Sequence, residues 1–226
     1  MSDEPAETWI FGYGSLMWNP GFAFSESRRA RLTGYHRAFC IYSIHYRGTQ
    51  RQPGLVLGLD RGGVCEGIAF RVAAEHRAET LAYLRRRELI YGVYRETLVP
   101  LELAHAGGAR ARTVWAVTYI AERAHPAYAG CLPLLREARL IRRSSGRGGT
   151  NIDYLASTFR HLKALGIPEP RLDRLVTLAG ALAVRRAAPT GGRSSTAALA
   201  RAWAGRTFAA PRTVRDNRFG YRAKCR

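Results

Sequence analysis

The sequence predicts an α+β protein in which a small β-barrel, closed or partly closed, is flanked by helices and followed by a basic C-terminal tail. Short β-branched and aromatic runs dominate the first 120 residues, amphipathic helical patterns follow Pro126, and arginine is concentrated after Arg185. Strands followed by helices, without regular βαβ alternation, are typical of the α+β class. Strands of this number and length would most economically close on themselves as a barrel.

Six runs of strand-forming residues, separated by glycine or proline, fill the first half of the chain. Each run is short and rich in β-branched, aromatic or other apolar residues, which is the composition of a strand. The predicted strands span residues 8–13, 38–45, 55–59, 67–72, 94–101 and 113–120.

Four helices are predicted from the helical spacing of apolar residues. In the first, Leu81, Leu84 and Glu88 fall on one face. Thr150 can cap the third, because Asp153 stands three residues later in the arrangement of a capping box. The predicted helices span residues 74–89, 132–142, 151–165 and 171–186.

The positive charge is concentrated near the C-terminus. The 226-residue chain has a formal net charge of +19, and from Arg185 to Arg226 eleven lysine and arginine residues stand against Asp216 alone. This segment lacks a sustained apolar period, so we predict one domain at residues 1–186 and a basic, flexible extension at 187–226. The charge would attract polyanions unspecifically, although a solvated arginine-rich extension is the simpler interpretation.

Cysteine and histidine spacing indicates neither a metal site nor a disulfide framework. Cys40, Cys65, Cys131 and Cys225 form no Cys-x-x-Cys pair, and the six histidines have no His-x-x-x-His spacing. The first residues are polar and acidic, and no apolar run has membrane-spanning length. We therefore expect no cofactor, no metal and a cytoplasmic location.

The segment 11–16, FGYGSL, predicts a strand that runs directly into a tight glycine turn. Glycine permits φ values and close approaches that a Cβ forbids, so such a turn can present backbone N–H groups to a carboxylate or an oxyanion. A simple β-turn explains the segment about equally well. A dinucleotide-binding fingerprint does not, because Met17 occupies the third glycine position.

Glu88 is set apart by its place at the C-terminal end of the first predicted helix. The helix dipole there, and any burial, would raise the pKa of its carboxyl, whereas Arg85, Arg86 and Arg87 would lower it. A carboxyl that changes its protonation near neutral pH can act as a general acid and base. An ordinary surface salt bridge with one of these arginines is the structural alternative.

Four ordered blocks resemble the ChaC-like γ-glutamylcyclotransferases, in the glutathione-specific branch. The resemblance covers roughly residues 8–183 and implies that family's small β-barrel with packed helices; the C-terminal extension has no counterpart in it. The blocks are WIFGYGSLMWNP at 9–20, RGT with QPG at 47–54, RELIYGVY at 87–94 and GTNIDYL at 149–155.

The resemblance implies cleavage of the γ-glutamyl amide of glutathione into 5-oxoproline and Cys-Gly. The substrate's own α-amine would attack its γ-carbonyl, so neither a protein nucleophile nor a cofactor is needed. Glu88, at the family's Arg-Glu position, would take a proton from the α-ammonium and give one to the departing amine. The expected substrate-binding residues are Ile10, Phe11, Gly12, Tyr13, Gly14, Ser15, Leu16, Arg47 and Tyr154.

Alternatives stay open at this point. Arg47 could pair with a substrate carboxylate or be a plain loop arginine, and Tyr154 could reach the pocket or anchor its helix. The chain could act on other γ-glutamyl amides, or be a catalytically silent barrel that binds RNA or anionic membranes through its tail. We expect a small-molecule substrate and no obligate nucleic acid, with the oligomeric state open.

Overall fold

The computed structural model describes residues 7–104 and 112–187, which divide into two compact units. The barrel unit contains described residues of 7–41, 56–131 and 165–167, and the helical unit contains 42–55, 132–164 and 168–187. The predicted basic extension, apart from its first residue, lies outside the described residues.

Five strands form a closed barrel in the order β1-β3-β2-β4-β5. β1 pairs antiparallel with β3 and parallel with β5, where Trp9 and Ile10 lie opposite Ala116 and Val117. Closure satisfies the backbone donors and acceptors that an open sheet would leave at its edges. The α+β barrel prediction is confirmed. The strands are β1 (Glu7–Gly12), β2 (Glu26–Ser43), β3 (Gly54–Ala73), β4 (Tyr94–Leu103) and β5 (Arg112–Ala121).

The prediction of six separate strands was wrong, because two of them are parts of β3. The glycine pair Gly62-Gly63 predicts the end of a strand, and both residues have positive φ, of 94° and 74°, yet β3 continues through them. β2 also begins well before its predicted start at residue 38. Its first half alternates exposed polar residues with the buried Ala30 and Leu32, a pattern too polar to stand out as a strand.

A dense apolar core fills the barrel unit. Phe70 is contacted edge-on by Phe22, with ring centroids 5.7 Å apart. The helix α1 (Arg77–Glu88) begins after a 3₁₀ turn at Ala74–His76, and its Leu84 is completely buried. The other large side chains that are fully buried in this unit are Ile10, Phe11, Leu32, Ile41, Leu59, Leu101, Leu103 and Tyr119.

Three helices and a short hairpin make up the described part of the helical unit, close to the predicted bounds. The predicted Thr150 cap is confirmed, since its Oγ1 accepts the Asp153 N–H at 3.2 Å. The Asp153 carboxylate accepts from the Thr150 hydroxyl at 2.6 Å, rather than from the Thr150 N–H as in a full capping box. Among the described residues, no helix is both long and apolar enough to cross a membrane. The elements are α2 (Leu134–Arg143), β6 (Ser145–Gly146), β7 (Gly149–Thr150), α3 (Asn151–Ala164) and α4 (Pro170–Ala187).

Candidate active site

The predicted glycine turn lies at the end of β1. The strand ends at Gly12, and a 3₁₀ turn spans Ser15–Met17, closed by the Met17 N–H donating to the Gly14 carbonyl at 3.0 Å. The N–H groups of Ser15 and Leu16 stand at the start of this turn, where a 3₁₀ helix supplies no acceptor for them. The turn therefore leaves these two amides for other acceptors, such as an anion.

The two glycines of the turn have different surroundings. A Cβ on Gly12 would lie 3.0 Å from the Leu16 Cβ and 3.3 Å from the Met17 nitrogen, so a larger residue would have to push these neighbours away by a few tenths of an ångström. Gly14 has a φ of −128°, and the atom nearest to a Cβ there would be Leu57 Cδ1, at an ordinary 3.7 Å. The predicted close approach is thus present at Gly12, whereas the protein leaves room for a small side chain at Gly14.

Burial limits how the turn can contact a ligand. The side chains of Ile10 and Phe11 are fully buried and that of Tyr13 is nearly so, whereas Gly14 and Ser15 are half-buried. Substrate contacts predicted for Ile10 and Phe11 could therefore involve only their main chain. Gly14 and Ser15 are the most accessible positions of the turn.

Two buried side chains that the sequence did not single out hold the main chain just before the turn. The buried Thr118 donates its hydroxyl to the Phe11 carbonyl at 3.1 Å, and the buried Arg37 donates from Nε to the Tyr13 carbonyl. In the sequence, Thr118 looks like any strand threonine, and an arginine in a polar stretch gives no sign of burial. These bonds fix the carbonyls that precede the turn.

Arg87 connects the turn with the end of α1. Its Nη2 donates to Ser15 Oγ at 2.9 Å, its Nη1 donates to the Asn19 carbonyl at 2.8 Å, and its Nε lies 3.2 Å from Glu88 Oε1. A guanidinium donates hydrogen bonds and accepts none, so it cannot serve as a base for Ser15. Ser15 therefore accepts from Arg87 and keeps its own proton to donate, which suits a binding residue rather than a nucleophile.

Glu88 is the last residue of α1, at the predicted position, and its side chain is only 19% exposed. Burial raises the pKa of its carboxyl above the ordinary value, against the opposing charge of Arg87. Of the other two arginines, Arg85 forms a two-pronged pair with Glu96, at 2.9 and 2.7 Å, and Arg86 is exposed. The ion pair with Arg87 therefore does not lower the pKa of Glu88 below its ordinary value, as an ordinary surface salt bridge would.

Tyr119 on β5 adds a further polar group in the vicinity of Glu88. Its side chain is 1% exposed, and its hydroxyl donates to Glu96 at 3.2 Å. Burial, together with the negative charges of Glu96 and Glu88, raises the pKa of this phenol well above its usual range. Tyr119 is therefore a neutral donor under physiological conditions, and the sequence showed it only as one more aromatic residue in a strand.

Arg47 and Tyr154, the other two predicted binding residues, contact each other in the helical unit. The Arg47 guanidinium lies 5.1 Å from the centre of the Tyr154 ring, and its Nη1 donates to the carbonyls of Gly148 and Thr150. Burial lowers the pKa of Arg47, although Tyr154 and Asp153 act in the opposite direction. These contacts stabilise the 148–150 backbone, and the binding role of the two residues stays a prediction.

A shallow groove elsewhere on the barrel unit is a weaker candidate site. It has a volume of about 530 Å³, contains neither Glu88 nor the turn, and its walls include Trp115, Leu98, Arg77 and Arg112. In the described residues, no three His, Cys, Asp or Glu side chains are grouped closely enough to hold a metal ion. The geometry therefore favours the neighbourhood of Glu88 and the turn.

Comparison with known proteins gives one consistent result. The model of the ChaC-like protein family matches residues 8–182. The chain is 42% identical over 173 residues to the glutathione-specific γ-glutamylcyclotransferase of Escherichia coli K12, which covers 76% of this chain and 73% of the relative. It is 34% identical over 186 residues to glutathione-specific γ-glutamylcyclotransferase 1 of Mus musculus, covering 79% and 81%.

Solved structures show the same fold. The structure of a yeast γ-glutamylcyclotransferase specific to glutathione superimposes with a TM-score of 0.69 and covers 77% of this chain and 96% of that one. The two sequences are 22% identical over this match, so the likeness concerns the fold alone.

Proposed function

The chain belongs to the ChaC-like family, and we propose that it is a glutathione-specific γ-glutamylcyclotransferase that releases 5-oxoproline and Cys-Gly from glutathione. The observation that carries the proposal is the largely buried Glu88 carboxyl, with its raised pKa, joined through Arg87 to the glycine turn. A proton-transfer group and an amide-bearing turn are the two parts that this reaction requires.

Ring closure supplies the nucleophile from the substrate itself. The α-amine attacks the γ-carbonyl carbon, a new C–N bond forms, and the amide bond to the cysteinyl nitrogen breaks. Glu88 takes one proton from the α-ammonium to free its lone pair, and the attacking nitrogen loses a second proton once the new C–N bond has formed. The departing nitrogen gains two protons, the first of them from Glu88, and leaves as an ammonium, so protons balance without consuming water. A positioned carboxyl in this role contributes about 10²–10⁴-fold.

The raised pKa of Glu88 fits both halves of this proton transfer. A carboxylate of ordinary pKa accepts a proton from an ammonium group poorly, because the proton is far more stable on nitrogen. Burial of Glu88 destabilises the charged form and so makes it a better acceptor. The same shift increases the fraction of the carboxyl that is protonated at neutral pH, and the protonated form is the one that donates to the leaving amine.

The glycine turn would bind the γ-glutamyl group and stabilise the tetrahedral intermediate. The Ser15 and Leu16 amides, together with the Ser15 hydroxyl proton, are donors that could face a carboxylate or a developing oxyanion. Loss of one such donor typically lowers the rate by about 10²–10³-fold. We place the substrate against Gly14, where a Cβ would make only an ordinary 3.7 Å contact with Leu57 Cδ1.

A substrate panel tests this function. Purified full-length chain would be incubated with glutathione, oxidised glutathione and γ-glutamyl dipeptides, and 5-oxoproline would be quantified, with Glu88→Gln as the blank. We expect release from glutathione with the highest kcat/KM. Faster release from the dipeptides would establish the broader γ-glutamyl specificity instead, and no release from any of them would reject the cyclotransferase function.

We place the reaction in the cytoplasm, with a small-molecule substrate and no obligate nucleic acid. Cys40, Cys65 and Cys131 are thiols in the structure, which fits a reducing compartment. Fractionation of cells that express the chain would test the location.

A further inference from the structure

We propose that Arg87 is a positioning residue that holds the glycine turn and the Glu88 carboxyl in one fixed geometry, so that substrate binding and proton transfer depend on the same guanidinium. This inference rests on the proposed function.

All three guanidinium nitrogens of Arg87 have partners, and the side chain is 22% exposed. Nη2 donates to Ser15 Oγ at 2.9 Å, and Nε lies 3.2 Å from Glu88 Oε1. Nη1 donates to the Asn19 carbonyl at 2.8 Å and the Tyr83 hydroxyl at 2.9 Å. One planar group thus contacts the turn, the segment after it and the catalytic end of α1.

The contacts require arginine rather than a positive charge in general. They point in several directions within one plane, which suits the five fixed N–H donors of a guanidinium. A lysine ammonium is a compact charge with three donors, so it could keep the attraction to Glu88 but not reach Ser15 and the Asn19 carbonyl together. Lysine therefore separates the effect of charge from the effect of geometry.

Neighbouring groups cannot replace this charge. Arg85 is bound to Glu96, and Arg86 is exposed. Toward Glu88, β5 presents the neutral Tyr119, whose hydroxyl is itself bound to Glu96. Arg87 is thus the cation whose charge opposes the effect of burial on Glu88, and its removal would raise the pKa of that carboxyl further.

The test compares Arg87→Met, Arg87→Lys and Ser15→Ala with the exposed control Arg86→Met, by the pH dependence of kcat/KM and by separate kcat and KM values. Arg87→Met should lower kcat/KM at pH 7 by about 100-fold and raise KM. It should also move the acidic limb of the pH profile of kcat/KM, which reports the protonation of Glu88, to higher pH. Arg87→Lys should raise KM but leave the limb near its wild-type position. Ser15→Ala should raise KM by up to about 10-fold without moving the limb, and Arg86→Met should match wild type.

An acidic limb that stays in place in Arg87→Met, with the protein folded by circular dichroism, overturns the proposal, as does an equal effect of Arg86→Met. Titration of the Glu88 carboxyl by ¹³C NMR in wild type and Arg87→Met provides a readout that does not need turnover. If wild type releases no 5-oxoproline, the proposed function fails. The NMR comparison then decides separately whether Arg87 controls Glu88, since equal titration curves would reject it.

Discussion

Two carboxylates of the barrel unit, Glu88 and Asp60, are both largely buried and both touch an arginine, yet their pKa values are shifted in opposite directions. Asp60, 4% exposed, accepts from Arg123 Nε at 2.8 Å, from the Tyr128 hydroxyl at 2.8 Å and from the Arg61 N–H at 2.9 Å. Burial opposes these bonds, but together they lower its pKa.

Glu88 shows the reverse balance. The charge of Arg87, whose Nε lies 3.2 Å from Glu88 Oε1, lowers the pKa of this carboxyl but does not outweigh the effect of burial. A buried carboxylate with several donors is stabilised in its charged form and serves as an anchor, here for the chain after β5. A buried carboxylate with fewer donors has a raised pKa, which is the property that a general acid and base needs.

The largest expected effect is that of Glu88→Gln on turnover. The amide keeps the shape of the side chain but cannot carry a proton between the two amines, so kcat should fall by at least about 10²-fold. A variant that retained more than about a tenth of wild-type kcat would show that another group transfers the proton.

The same substitution should not lower stability. The pKa of Glu88 is raised in the folded state, so the protein binds this proton more tightly when folded. The free energy of unfolding therefore falls as pH rises from the ordinary glutamate value of 4.5 through the raised folded-state pKa. Glu88→Gln should therefore equal or exceed wild type in urea unfolding at pH 7 and lose that advantage at acidic pH. Marked destabilisation at pH 7 would contradict the assigned shift.

Asp60→Asn should produce the opposite pattern, with a large effect on stability. The amide cannot accept from Arg123 and Tyr128 as the carboxylate does, so unfolding free energy at pH 7 should fall by about 1–3 kcal/mol. The lowered pKa means that the contribution of Asp60 is present above its ordinary value of 3.8 and is lost as pH falls through the folded-state pKa. In urea unfolding between pH 7 and pH 3, the difference in unfolding free energy between Asp60→Asn and wild type should begin to shrink as pH falls below 3.8. A difference that stays constant would mean that the charge of Asp60 is not its cause.

Gly14→Ala and Gly12→Ala extend the contrast between function and stability to the turn. An added Cβ would make an ordinary 3.7 Å contact with Leu57 Cδ1 at Gly14, but a tight 3.0 Å contact with the Leu16 Cβ at Gly12. Gly14→Ala should keep its melting temperature and lose about 10-fold in kcat/KM, whereas Gly12→Ala should unfold at a lower temperature. Full activity of Gly14→Ala would argue against substrate occupying that space.

The sequence predicted the parts that depend on local pattern. Gly12 and Gly14 marked the turn, Thr150 and Asp153 marked a helix start, and the residues around Glu88 resembled a known family block, a resemblance that the family match confirms. These signals are short-range, so neighbouring residues in the chain are enough to reveal them.

What could not be predicted depends on partners distant in sequence. The bond of Arg37 to the Tyr13 carbonyl, and that of Arg87 to Ser15, join residues 24 and 72 positions apart. Which of three consecutive arginines would face Glu88 was undecidable without the fold. The same holds for Asp60, whose donors Arg123 and Tyr128 come from a segment more than sixty residues away.

The smallest expected effect on activity is that of deleting residues 188–226. Glu88, Arg87 and the turn all lie before that segment, and the family match ends at residue 182, so kcat/KM for glutathione should stay within about twofold of wild type. The deletion removes nine Lys and Arg residues together with Asp216, which lowers the formal net charge from +19 to +11, so retention on heparin should weaken with a flatter salt dependence. Circular dichroism would control for folding. A folded but inactive truncation would mean that the basic segment completes the site, because Glu88, Arg87 and the turn would all be unaltered. The raised pKa that distinguishes Glu88 from Asp60 would then not be enough for catalysis.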